Sequence, residues 1–174
     1  MSSQEKKPPF EQVYLDNYSY IYNYVYMRLL HRENAEDIVS SVFTKAMTHY
    51  DSYNSSLSSI RTWLCNIARN TVTDFFRLKA NQAHVDIDDI VEPGVEDEYN
   101  LLADSINQQL FRILSHLPDS DREFLALRYH QELSNEEIGA ILNISPKAVS
   151  ERYRRLLAKC RAIAEEYHID REDL

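Results

Sequence analysis

Apolar residues recur at helical spacing through most of the chain, and the places where that period breaks divide it into elements. From Phe10 to about Leu30, the positions Phe10, Val13, Tyr14, Ile21, Tyr22, Val25 and Leu29 predict a first helix. Further tyrosines are spread around it, so it is aromatic on more than one side. A second stripe, Ile38, Val39, Val42, Phe43, Ala46 and Met47, runs on to about Tyr50, with Asn34 as the expected N-cap. The stretch DSYNSSLSS, Asp51 to Ser59, consists largely of turn residues and predicts a loop. Trp63, Leu64, Ile67, Ala68, Val72, Phe75 and Phe76 then line one face of a third helix, opposite Arg61, Arg69, Asn70, Asp74 and Arg77. Trp63 shares the Leu64 and Ile67 face and is expected in the core rather than stacked on a ligand. Three such helices can bury a common core.

The period fades between Ala80 and Asn107, where AHVDIDDIVEPGVEDEY contains a Pro-Gly pair; this reads as a flexible linker. A short helix around Leu110 to Leu114 leads through Leu117-Pro118 into a helix from Asp119 to Tyr129. In LSNEEIGAILNISPKAVSERYRRL, Leu133 to Leu156, Ser134 and Glu137 form a capping box before Ile138, Ile141 and Leu142. Asn143 is suited to a left-handed turn, after which Ser145 is an N-cap and Pro146 a first helical residue. Val149, Tyr153, Leu156, Leu157 and Cys160 form the apolar face of this last helix. The other face carries Lys147, Ser150, Arg152, Arg154, Arg155 and Lys159, donors suited to phosphates or guanine edges. Spacing alone fits both a DNA-reading helix-turn-helix and an ordinary helical hairpin with a solvated basic face.

Composition narrows the classes. In 174 residues there are two glycines and five prolines, too little turn chemistry for a many-stranded sheet and too few glycines for a phosphate loop. No apolar run approaches a membrane span, and MSSQEKKPPF lacks the apolar core of a signal peptide, so a cytoplasmic protein is expected. Cys65 and Cys160 belong to no CxxC pair and are expected to be structural thiols. His49, His84, His116, His130 and His168 are scattered, and no nucleophile-base, paired-carboxylate or metal constellation survives the helix assignment. The expectation is a non-enzyme with no metal and no cofactor.

The net charge of −9 is unevenly placed. Residues 1–80 hold nine Lys/Arg and eight Asp/Glu, and residues 108–162 hold nine and seven. Residues 81–107 hold eight acids and no Lys or Arg, and residues 163–174 hold five acids and one Arg. A basic helix surface can therefore bind phosphates locally in an acidic chain. The expected fold is all-α: two small helical domains, residues 8–80 and 108–167, joined by an acidic linker, 81–107, and followed by a short acidic tail, 168–174.

Two blocks resemble a known family. NAEDIVSSVFTKA (Asn34 to Ala46) with IRTWLCNIARNTVTDFFR (Ile60 to Arg77) resembles region 2 of the group IV, or extracytoplasmic-function, sigma factors of bacterial RNA polymerase. LPDSDREFLALRY (Leu117 to Tyr129) with the helix-turn-helix resembles region 4. The resemblance implies a region 2 bundle of three to four helices and a region 4 helix-turn-helix. It also implies binding of the polymerase core through its β′ and β subunits, recognition of −10 and −35 promoter elements, and opening of the DNA. A docking role is implied for Ala35, Glu36, Asp37, Ile38, Ser41 and Phe43, which fall in the helix that meets the β′ coiled coil. The −10 strand falls to the loop and the helix after it, at Ser55, Ser56, Ser58, Ser59, Arg61, Arg69 and Asn70. The −35 duplex falls to Ser145, Lys147, Ala148, Ser150, Glu151, Arg152, Arg154, Arg155 and Lys159. Glu151 is either a reader of cytosine or a solvent-facing residue.

Ser40 and Ser41 stand where the family commonly has Gln and Glu, and Ser58 where it often has Gly. The resemblance further implies an anti-sigma factor as partner, membrane-anchored or soluble, and no small-molecule substrate. In the family the linker threads the polymerase cleft, while a plain soluble tether explains its composition equally well. A second functional class stays open: a helix-turn-helix regulator that binds duplex DNA without polymerase.

Overall fold

The computed structural model describes residues 7–83, 108–129 and 133–169, and those residues form seven α-helices and one short 3₁₀ turn with no strand among them. Helix α1 (Phe10–Leu29) starts behind Pro9, whose carbonyl accepts the amides of Gln12 and Val13. It stops at Leu30, which is left-handed (φ 51°) and returns its N–H to the Tyr26 carbonyl at 2.7 Å. That conformation costs a leucine about 1–2 kcal/mol. Complete burial of the Leu30 side chain offsets the cost.

Helix α2 (Arg32–His49) is capped by His31, whose Nδ1 accepts from the Asn34 amide, rather than by Asn34 itself. The tight turn at Leu30 leaves His31 extended, so the helix begins earlier than the sequence suggests and Asn34 becomes a donor inside its first turn. A 3₁₀ turn, Tyr50–Ser52, takes up the start of the expected loop. Helix α3 (Ile60–Ala83) begins where Ser59 Oγ accepts from the Thr62 amide at 3.2 Å. It continues to Ala83, three residues into the expected linker, because no proline or glycine interrupts it there. Residues 84–107, which include the acids of the linker, lie outside the described residues.

Helices α4 (Gln108–Ser115), α5 (Asp119–Tyr129), α6 (Asn135–Leu142) and α7 (Pro146–Glu166) follow. Both sides of the Ser134–Glu137 capping box are formed, Asn143 is left-handed (φ 56°), and Ser145 caps α7 through the Ala148 amide. Gly139 is where α6 and the turn nearly touch. A Cβ there would lie 2.5 Å from the Ile144 carbonyl oxygen, so only glycine lets the turn close. Beyond α7, Tyr167 stacks on His116 with ring centroids 3.8 Å apart, and of the expected tail Ile169 is buried while His168 is exposed.

The two halves do not stand apart. Helix α1 packs against α2 and α3 on one side and α5 on the other, and α3 also meets α6. Every residue from Tyr24 to Leu30 is therefore buried, as expected for a helix apolar or aromatic on all sides. The buried Arg28 forks onto Asp119 at 2.9 and 2.6 Å and lies 3.3 Å from Glu123. Arg122 donates to the Arg28 carbonyl at 3.0 Å, and Tyr24 to Glu123 at 3.1 Å.

Candidate nucleic-acid interface

Helix α2 sorts its residues sharply. Glu36, Asp37, Ser40, Ser41 and Thr44 are exposed on its outer face, with Glu36 accepting from Arg32 at 2.8 Å. Ala35, Ile38 and Phe43, expected on the docking surface, instead point inward among the core residues. Their apolar side chains are already desolvated against α1 and α3, so they support the outer face rather than form it. Tyr14 and Met47 extend that face as exposed apolar residues, and Tyr14 meets the edge of Phe43 at 4.8 Å. Both were expected on the apolar stripes of their helices, because helical spacing alone does not tell a covered apolar position from an exposed one.

The loop before α3 is held by its own polar groups. Tyr53 Oη donates to the Ser58 carbonyl at 2.9 Å, Asn54 Oδ1 accepts from the Ser56 amide at 2.9 Å, and the Leu57 amide returns to the Asn54 carbonyl. These bonds leave Ser55, Ser56 and Leu57 outward, Leu57 being 84% exposed. Tyr50 and Tyr53 stack at 6.2 Å with planes 7° apart, and Trp63 packs on both. The ammonium of Lys7 lies 4.4 Å above the Tyr50 ring and donates to the Tyr50 carbonyl.

Beside this platform opens a cavity of about 650 Å³, lined by residues that include Asp16, Asn17, Tyr53, Asn54, Ser55 and Ile60. Sequence reasoning missed Asp16 and Asn17, which lie on α1, and the two lining tyrosines, Tyr50 at the start of the 3₁₀ turn and Tyr53 within the serine loop itself. Arg61 reaches the cavity edge, donating to Asn17 Oδ1 at 3.2 Å with its guanidinium over the Tyr20 ring. Asn70 is exposed nearly three turns along α3 from the loop. Arg69 and Ser59 are already engaged although neither is buried: Arg69 donates to Glu123 at 3.0 Å, and Ser59 to Glu137 at 2.8 Å.

The Glu137 carboxylate accepts three hydrogen bonds. One carboxylate oxygen takes the hydroxyls of Ser59 and Thr62, while the other takes the Ser134 amide at 2.9 Å. Burial pushes its pKa up, but the Ser134 amide and the hydroxyls of Ser59, Thr62 and Ser134 outweigh that and leave it below the ordinary glutamate value.

On α7, Lys147, Ser150, Glu151, Arg154, Arg155 and Lys159 are exposed, and Ala148 is half-buried. Ser145 spends its oxygen on the helix cap, and Ser150 Oγ accepts from Asn135 at 2.9 Å. Arg152 lies against α5, donating to the Ser120 carbonyl at 2.7 Å with its guanidinium over Phe124, and Lys159 donates to Asp121 at 2.7 Å. These two contacts tie α7 to the first turn of α5. The leading turn thus presents Lys147, Ser150, Glu151 and Arg154 along one outward edge.

Cys65 is buried beside Tyr20, and burial pushes its thiol up to about 12. Among the described residues there is no cluster of His, Cys, Asp and Glu able to hold a metal, and no helix is long and apolar enough to cross a membrane.

Comparison with known proteins finds Sigma-70 region 2 over residues 13–82 and Sigma-70 region 4 over residues 113–162. The chain is 32% identical over 149 residues to RNA polymerase sigma factor YlaC of Bacillus subtilis, spanning 83% of this chain and 86% of that one. It is 32% identical over 146 residues to the extracytoplasmic-function sigma factor SigW of the same organism, with 78% of each chain covered. Among solved structures, the sigma factor RpoE in complex with the anti-sigma factor NepR, from Bartonella quintana, superposes with a TM-score of 0.75 at 21% identity, covering 93% of this chain and 98% of that one. CnrH in complex with the cytosolic domain of CnrY superposes at 0.66, with 21% identity and 90% and 88% covered.

Proposed function

The chain belongs to the extracytoplasmic-function sigma factors of the sigma-70 family, a sigma factor for RNA polymerase, and we propose from that premise how its surfaces divide the work. The outer face of α2, Glu36, Asp37 and Ser41 with Ser40, Thr44, Met47 and Tyr14, docks on the polymerase core. Its two adjacent carboxylates select a basic partner surface, and the apolar pair gives it area. The loop and the cavity beside it take the −10 strand. Tyr53, Asn54 and Ser55 supply a stacking wall and hydrogen-bonding edges for a base turned out of the stack, and Leu57 and Ser56 meet its neighbours. Lys147, Ser150, Glu151 and Arg154 enter the −35 major groove, while Arg155 and Lys159 lie toward phosphates.

The observation that carries this division is the hydrogen-bonded polar loop beside an aromatic-walled cavity, leading directly into the half-buried helix α3. Residues 8–83 act as the region 2 unit and 108–169 as the region 4 unit, with the acidic segment between them as tether. Catalysis belongs to the polymerase, so the chain itself performs no chemistry and works in the cytoplasm. An anti-sigma factor is the expected regulator, in keeping with the sigma/anti-sigma complexes among the chain's structural neighbours. The test is binding of the purified chain to core polymerase. Glu36→Lys with Asp37→Lys should weaken it about tenfold or more. Unchanged affinity would remove α2 from the docking surface.

A further inference from the structure

The cavity beside the serine loop is walled on one side by residues that precede the region 2 match of 13–82. Lys7 and Pro8 line it, and Tyr50 Oη donates to the Pro8 carbonyl at 2.7 Å. The rings of Pro8 and Pro9 fix two successive φ angles, and Pro9 is already the N-cap of α1, so this strap has little freedom to swing away. It brings one ammonium to the cavity: Lys7 Nζ lies 4.4 Å from the Tyr50 ring centroid and 5.4 Å from that of Tyr53. Among the described residues one of its three N–H donors is spent, on the Tyr50 carbonyl. The other charge on the lining is Asp16, one of whose oxygens accepts from Gln12 at 2.7 Å. Asp16 also lines the neighbouring cavity with Ser59 and Arg61, which Lys7 does not reach, so the two charges stand toward different ends of the site. A nucleotide entering between them is oriented by its own charge, its phosphate drawn to the ammonium and repelled by the carboxylate.

We propose that Lys7 is part of the −10 site: its ammonium binds a backbone phosphate next to the base that the cavity receives, and so sets which way round the nucleotide lies without reading the base. This rests on the reading of the loop and cavity as the strand-binding face. A compact charge with rotatable donors suits a phosphate oxygen, and such a contact positions a strand while carrying no sequence information. Tyr53 and Asn54, on the other side of the lining, keep the stacking and the hydrogen-bonding edges for the base itself.

The experiment is binding of the holoenzyme, core polymerase saturated with the chain, to a labelled pool of single-stranded DNA with randomised positions. Affinity is measured over a series of salt concentrations, and the bound strands are sequenced. Lys7→Met keeps an unbranched stem beside the rings and removes the charge. It should bind the pool about fivefold more weakly at low salt and enrich the same sequences as the parent. Its plot of log affinity against log salt should be shallower by about 0.7, the share of one phosphate on a single strand. Lys7→Arg should restore both affinity and slope. Asn54→Ala, by contrast, should change the enriched sequences and leave the slope as it is. A Lys7→Met holoenzyme that keeps the parental slope overturns the proposal, as does one that enriches different sequences. If Asn54→Ala leaves the enriched sequences unaltered, the strand-binding reading of the loop fails and the proposal with it. Thermal melting of the free variants separates a loosened strap: a lowered midpoint, with a slope that Lys7→Arg does not restore, makes Lys7 structural and overturns the phosphate contact alone.

Discussion

Arg28 is 3% exposed and keeps its charge. Burial works against the guanidinium, but Tyr24, Asp119 and Glu123 around it more than compensate and hold its pKa above the ordinary arginine value. Removing it leaves two acids facing each other with their main counter-charge gone. Arg28→Met should therefore cost about 3–5 kcal/mol of unfolding free energy in urea. A loss under about 1 kcal/mol would mean that water already shares this cluster. Glu137 gives a pH signature. Its folded pKa is depressed, so its contribution is present above the ordinary glutamate value and lost as pH falls through the lower folded one. The stability difference between the parent and Glu137→Gln should be full at pH 6 and shrink below about pH 4. A difference that stayed constant through that range would contradict the hydrogen-bonded carboxylate.

At the scale of elements, Gly139 decides whether α6 and α7 can adopt their angle. Gly139→Ala sets a Cβ against the Ile144 carbonyl, a backbone atom that cannot swing aside, and should destabilise the region 4 unit by about 1–3 kcal/mol. Thermal unfolding followed by circular dichroism checks this, and an unchanged midpoint would show that the turn yields. Helix α3 makes a second prediction. Cys65 is buried with its thiol raised, so native protein should leave it unlabelled by a thiol reagent, while urea exposes it. Rapid native labelling at Cys65 would mean that α3 frays where the account needs it rigid.

These elements also mark what could be read from residues alone. The capping box at Ser134, the left-handed Asn143 and Pro146 after its Ser145 cap are local chemistry, and each stands where the sequence places it. His31 as the cap of α2 was not legible, because a histidine acts as a cap only once Leu30 has forced the preceding turn. The inward placement of Ala35, Ile38 and Phe43 was legible in principle. All three share the stripe that carries Val39 and Val42, and that periodicity outweighs a docking role inferred from resemblance.

At the scale of the whole molecule, the contact between the halves was the least legible feature. Its one sequence signal is the ring of tyrosines and apolar residues around α1, a helix with too little polar surface to be covered on one side only. The partners of Arg28 and Arg69 lie 91 and 54 residues away, and no local pattern links them. The same contact gives the acidic chain a way to carry DNA-binding groups without leaving all of them open.

This chain directs transcription initiation through region 2 and region 4 together. Run-off transcription from fragmented genomic DNA of the source organism, with core polymerase and with or without the chain, tests it most directly. The account predicts new start sites that appear only with the chain and share two spaced upstream elements. A folded chain that produces no such starts, yet binds a specific duplex on its own, would contradict it.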